Sequence, residues 1–206
     1  TQRSVTKVVA IASPLELIAA KSVGIERRFY ISDNECDHIS HRLALRSASE
    51  ILVPDSWRMD LDGGFMSKAN KKGIPVQKFP GNKAHVYLRP ATIVDELPDG
   101  KRIMVRRLVG GGIHDSEMAT LDAITLECIL EEHIEGDALE QPWSLPNRTL
   151  DYDGVITQSV SLATESASLG VPTLLVSNAK RGIMDELVEM GVITIVSSGE
   201  EQNLLI

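Results

Sequence analysis

One stretch constrains the fold more than any other. Residues 153–177 read as strand, helix, strand: Val155 and Ile156 form a short apolar run, 161–169 has helical spacing, and 173–176 is a second apolar run. Gly170 supplies a helix C-terminus and Pro172 fixes entry to the second strand. Two parallel strands joined by a helix belong to an α/β sheet, so the serine-rich turn at 158–161 is expected to face a ligand from the carboxyl edge.

The same grammar recurs upstream. The apolar run 8–12 is followed by Ser13 and Pro14, an expected N-cap and first turn, then by Leu15, Ile18, Ala19 and Ser22 on one helical face, with Gly24 as terminator. Phe29, Tyr30 and Ile31 form the next strand. Ser32, Asp33 and Asn34 are expected to cap a helix carrying Ile39, Leu43 and Ala44, and 51–53 reads as a further buried strand closed by Pro54. Residues 55–75 are polar and irregular with short helical pieces at most, and 76–79 is one more strand.

The stretch 80–100 is rich in Pro, Gly and Asp, which marks a connection between lobes with its boundary near Asp99. Beyond it, 103–109 reads as a strand, Gly110, Gly111 and Gly112 as a turn, 115–132 as a helix, 135–151 as a loop, 183–190 as a last helix and 192–196 as a final strand. The expected architecture is α/β with two Rossmann-like lobes of parallel sheet, residues 1–98 and 99–206.

Composition narrows the functional classes. With 43% hydrophobic and 24% charged residues in 206, the chain can bury either one large core or two smaller ones. A net charge of −8 disfavours nucleic acid as a partner, and no apolar run reaches membrane-spanning length. Cys36 and Cys128 are too few for a disulfide framework, which fits a reducing cytoplasm. The first residues, Thr1 to Ser4, carry no secretory pattern. The basic clusters Lys101, Arg102, Arg106, Arg107 and Lys68, Lys71, Lys72 leave room for a local anion site, although the second reads more simply as solvated surface.

Three turns qualify as ligand-facing, at 32–34, 110–115 and 158–161, because helix N-termini there present backbone N–H groups. In the third, Ser159, Ser161 and Thr164 offer hydroxyls and Glu165 lies on the same side as Ser161. These residues fit a phosphate with a neighbouring ribose or sugar hydroxyl, and equally a helix cap with an early acidic residue. In the second, the glycines permit close backbone approach, and His114 with Asp115 beside it is the candidate general base. The turn lacks the dinucleotide and P-loop fingerprints.

Cys36, His38 and His41 suggest zinc, but only the histidines share a helical face, so no common metal is expected. Asp60 with Asp62, and Asp151 with Asp153, have a two-carboxylate spacing without a preceding strand to support a cation site. No Ser-His-Asp elbow is present.

The segment 157–173 resembles an archaeal family of uncharacterised, predicted glycosyltransferase-like proteins, and 30–35, 51–54 and 105–115 look like its other signatures in the same order. The resemblance implies a GT-B architecture, similar to nucleotide-sugar glycosyltransferases and to UDP-N-acetylglucosamine 2-epimerase, with the nucleotide held by the C-terminal lobe and acceptor and donor meeting between lobes. It also implies a further β-α stretch before Val8, hence an incomplete N-terminal lobe.

On this reading the chain is a metal-independent glycosyltransferase with a nucleotide sugar as substrate and no cofactor. Ser159, Ser161 and Thr164, with Lys180 or Arg181, would stabilise the departing diphosphate, Glu165 would hold a sugar hydroxyl, and His114 would deprotonate the acceptor. An epimerase would use Asp33, His114 and Asp115 on the two sugar faces. A non-catalytic module binding a nucleotide or sugar phosphate is the third reading. Oligomeric state stays open.

Overall fold

The computed structural model describes residues 4–88, 101–110, 119–121, 128–134, 136 and 144–197. The chain forms two compact units: 1–83 with 181–183, and 84–180 with 184–206. The division after Lys83 precedes the expected boundary near Asp99, which itself lies outside the described residues.

The first unit alternates strand and helix: β1 (Lys7–Ile11), α1 (Leu15–Ser22), β2 (Arg27–Ile31), α2 (His38–Ser47), β3 (Glu50–Pro54), α3 (Phe65–Lys71) and β4 (Val76–Phe79). All four strands are parallel, in the order β1-β2-β3-β4. Alternate strand residues Ala10, Tyr30, Ile51 and Val53 pack with Leu17, Ala44 and Phe65 from the three helices into one core. Val9 and Ile11, one residue out of phase, stay exposed.

Two expected caps are corrected here. The Ser13 hydroxyl donates to the Glu16 carboxylate at 2.5 Å, and the cap position of α1 falls on Pro14. Helix α2 begins at His38 rather than after Asn34, capped by Asp37, which accepts from the Ser40 N–H at 3.2 Å. Asn34 instead closes a local turn by accepting from the Cys36 N–H at 3.0 Å, a bond that competes with helix initiation. The turn at 32–34 is therefore a loop, without a helix N-terminus.

The second unit contains α4 (Ala84–Tyr87), β5 (Arg102–Arg107), β6 (Ile129–Ile134), α5 (Leu145–Arg148) running into a 3-10 turn (Thr149–Asp151), β7 (Gly154–Thr157), α6 (Val160–Ser168), β8 (Thr173–Val176), α7 (Gly182–Glu189, its first residues counted with the first unit) and β9 (Ile193–Val196). The five strands are all parallel, in the order β6-β5-β7-β8-β9. Val105, Ile156, Val176 and Val196 pack with Ala119 and Leu121, while Met104 and Val155 pack with Tyr152, Leu162 and Val171. Every residue of β7 is buried, as a central parallel strand requires.

The β7-α6-β8 unit matches the expected strand, helix, strand order. The helix expected over 115–132 does not form as such: Ala119, Thr120 and Leu121 are non-helical, and 129–134 is the edge strand β6. Leu130 and Glu131 suit a helix by propensity, but register with β5 overrides it, and Arg102 and Arg107 of β5 reach Glu131 and Glu132 of β6. The expected loop 135–151 holds α5 and the 3-10 turn. Among the described residues no helix is long and apolar enough to cross a membrane. The protein thus has two Rossmann-like lobes of parallel sheet.

Candidate functional site

Strand order singles out a candidate site in the second lobe. From β5 the chain passes to β6 on one side, then returns to β7, β8 and β9 on the other. Connections that leave adjacent strands in opposite directions open a crevice at their carboxyl ends, where α/β sheets bind ligands. That switch point lies between β5 and β7, which pair directly from Ile103 opposite Gly154 to Arg106 opposite Thr157.

Gln158 builds the crevice. Its backbone N–H continues the ladder to the Arg106 carbonyl at 3.2 Å, and its side chain turns back over β5. There Oε1 accepts from the Leu108 N–H at 3.1 Å while Nε2 donates to the Ala119 carbonyl at 2.7 Å. One amide side chain thus pins three segments, and the turns after β5 and β7 share one edge of the sheet. A pocket of about 310 Å³ opens beside it, lined by Arg107, Leu108, Thr120 and Gln158 among others. Arg107 is held there by the Glu132 carboxylate and the Leu121 carbonyl.

The turn after β7 becomes the N-terminus of α6. Ser159 is the cap: its Oγ accepts from the Leu162 N–H at 3.3 Å, and its own N–H donates to Thr157 Oγ1 at 3.0 Å. Helix geometry leaves the N–H groups of Val160 and Ser161 without intrahelical acceptors, and Ser161 is exposed. At the other flank Gly110 has φ 86°, a left-handed conformation that turns the chain sharply after β5. Gly111, Gly112, His114 and Asp115 lie outside the described residues.

The remaining expected residues do not all gather here. Thr164 is buried and its hydroxyl donates to the Val160 carbonyl at 2.9 Å, so its polar atom is turned into the helix. Glu165 is half-buried and accepts a hydrogen bond from the Tyr87 hydroxyl of α4. Lys180 is exposed. Arg181 is counted with the first unit, is 5% exposed, and donates to Cys36 Sγ at 3.5 Å. Asp33 pairs with Lys83 at 3.1 Å.

One member of each carboxylate pair has a structural role. Asp62 accepts from the Trp57 indole and from the backbone N–H groups of Gly64, Phe65 and Met66 at the start of α3, and Asp153 accepts from the Arg102 N–H at 2.7 Å. His41 is 2% exposed, stacks on Phe65 at 4.2 Å and shares a 3.1 Å hydrogen bond with Ser32 Oγ; burial pushes its imidazole down to about 4. Among the described residues no group of three His, Cys, Asp or Glu is placed to hold a metal ion.

Pattern reading singled out Gln158 only as part of its turn and missed Thr120. The helical propensity of the segment around it concealed that Ala119 and Leu121 return to the sheet edge. No spacing signal in the sequence marks that return.

The fold and the switch-point crevice define an α/β protein with two Rossmann-like lobes whose second sheet has the layout of a ligand-binding sheet. The sequence matches no protein-family model and no curated protein. Among solved structures it is similar to the glycosyltransferase SnogD from Streptomyces nogalater, at 15% identity and a TM-score of 0.40, covering 92% of this chain and 65% of that one. The chain therefore spans just under two thirds of that glycosyltransferase's length.

Proposed function

We propose that the second lobe binds a nucleotide sugar through its diphosphate, and that the protein transfers the glycosyl group without a metal. The observation that carries the binding reading is the switch point between β5 and β7, where a pocket is lined by Leu108, Thr120 and Gln158, the last at the turn that leads into α6. The choice of reaction rests on the sequence resemblance alone. In the proposed step the acceptor oxygen attacks the anomeric carbon, its proton passes to His114, and the bond to the diphosphate breaks with both electrons going to the leaving nucleoside diphosphate. The N–H groups of Val160 and Ser161, the Ser161 hydroxyl and Lys180 stabilise that leaving charge. Glu165 keeps lone pairs beyond the one used by Tyr87 and accepts from a sugar hydroxyl.

A non-catalytic nucleotide-binding or sugar-phosphate-binding module is the second reading. It is favoured by the internal partners of Thr164, Arg181 and Asp33, three groups that catalysis would otherwise recruit. Calorimetric titration with UDP, GDP, ADP and their sugar conjugates tests the shared binding step. Binding that weakens in Glu165→Gln supports the site, and absence of binding by every nucleotide and conjugate rejects it. Release of free nucleoside diphosphate on adding an acceptor separates the transferase from the module.

A further inference from the structure

A second pocket, of about 440 Å³, lies in the first lobe between α2 and α3. Arg42 and Arg46 stand four residues apart on α2, and Lys68 and Lys72 stand four apart on α3 and its C-cap, so each pair shares a helical face. The helices pack side by side through Ala44, Leu45, Phe65 and Ala69, which brings both pairs to the rim of one groove. In a chain of net charge −8 this is a concentrated positive field.

The groove's own carboxylate, Asp62, offsets one of these four positive charges and leaves the rim cationic. Asp62 spends its oxygens on the Trp57 indole and three backbone N–H groups. Among the described residues Arg42, Arg46 and Lys72 are paired with no carboxylate, and Lys68 reaches only the Gly63 carbonyl at 2.7 Å. His41 lines the same pocket, with its Nδ1 buried and without a hydrogen-bond partner among the described residues.

We propose that this groove binds a multiply charged phosphate anion, with the phosphate held by the Arg42, Arg46, Lys68 and Lys72 cations and the rest of the ligand over Leu45 and Phe65. A single carboxylate would leave most of the four cations facing each other, whereas a phosphate monoester offsets more of that charge, a diphosphate more still, and both match the forked guanidinium geometry. The pocket volume exceeds what one inorganic ion fills, so the natural ligand is a phosphorylated small molecule or a lipid phosphate headgroup. The site is independent of the nucleotide-sugar reading, being made wholly of first-lobe residues.

Backbone NMR titration of the whole chain with inorganic pyrophosphate, and with glucose 1-phosphate, at constant ionic strength is the test. Saturable shifts at 42–46 and 68–72 are expected, with affinity at least tenfold weaker in the double variant Arg42→Gln/Arg46→Gln. Both side chains are exposed, so that variant keeps its fold, and circular dichroism verifies it. Co-sedimentation with phosphatidic acid vesicles, lost in the same variant, would assign the phosphate to a headgroup; binding of the soluble anions alone would assign it to a free metabolite. Unchanged affinity in the double variant, no saturation with any of these probes, or shifts confined to 108–110 and 158–161 would overturn the proposal. The last of these would leave the second-lobe site standing.

Discussion

Replacing Gln158 with Met removes two hydrogen bonds while nearly preserving side-chain length and volume. The variant leaves the Ala119 carbonyl, on a residue 5% exposed, and the half-buried Leu108 N–H without their partners. An unsatisfied buried group costs about 1–3 kcal/mol, and Leu108, being only half-buried, belongs at the lower end, so the crevice should lose about 2–4 kcal/mol of local stability. Hydrogen exchange reads this directly at the Leu108 amide. If local opening governs exchange there, the rate should rise roughly 30- to 700-fold, while amides of β8 and β9 change little. Gln158→Glu keeps an acceptor for Leu108 but sets a carboxylate against the Ala119 carbonyl, so protection at Leu108 should fall less than in the Met variant. A change at Leu108 below threefold in Gln158→Met would show that the side chain does not hold the two turns together, and the composite site would lose its scaffold.

Acid should weaken the first lobe through His41. Its folded-state value of about 4 lies below the ordinary 6.5, so the unfolded chain takes up the proton first; stability is full above pH 6.5 and falls by at most about 3 kcal/mol as pH drops toward 4. Urea midpoints across that range should show the loss in the native chain and a flatter profile in His41→Phe; parallel profiles would be the contrary result. Gly182→Ala should be severely destabilising, because a Cβ there would lie 1.7 Å from the Ser56 carbonyl oxygen and 2.9 Å from Glu35 Oε1, where the Gly182 N–H now donates. A melting-temperature decrease equivalent to about 1–3 kcal/mol or more is expected, and an unchanged midpoint would contradict the packing. Asp62→Ala strips the start of α3 of its acceptor and should cost about 2 kcal/mol by urea titration, with Asp62→Asn recovering part of it; equal losses in the two variants would point to charge rather than hydrogen bonding.

Local grammar was sufficient for most elements. Apolar runs such as 51–53 and 173–176, and Gly24 and Gly170 at helix ends, specify strand and helix through backbone preference and burial, both short-range properties. The parallel α/β class follows from their alternation, and so does the expectation that the 158–161 turn sits at a carboxyl edge. Pairing order does not follow. That β5 lies between β6 and β7, which creates the switch point, depends on backbone pairing between segments remote in the chain, Arg102 opposite Ile129 on one side and Ile103 opposite Gly154 on the other. The same long-range pairing made a strand of 129–134, where propensity favours helix. Hydroxyl direction was equally hidden: Thr164 reads as a ligand contact by position and turns inward because the nearest carbonyl acceptor, Val160, is one helical turn behind it. Capping choices such as Asp37 over Ser32 were decided by competition among several local acceptors of similar strength. The basic groove shows the limit most sharply, since Lys68 and Lys72 look like ordinary solvated surface until the packing of α2 on α3 sets Arg42 and Arg46 across from them. Sequence fixes which groups can carry charge or donate a bond; only tertiary packing decides which of them face each other, because Coulombic and hydrogen-bond energies depend on distances that chain spacing does not encode.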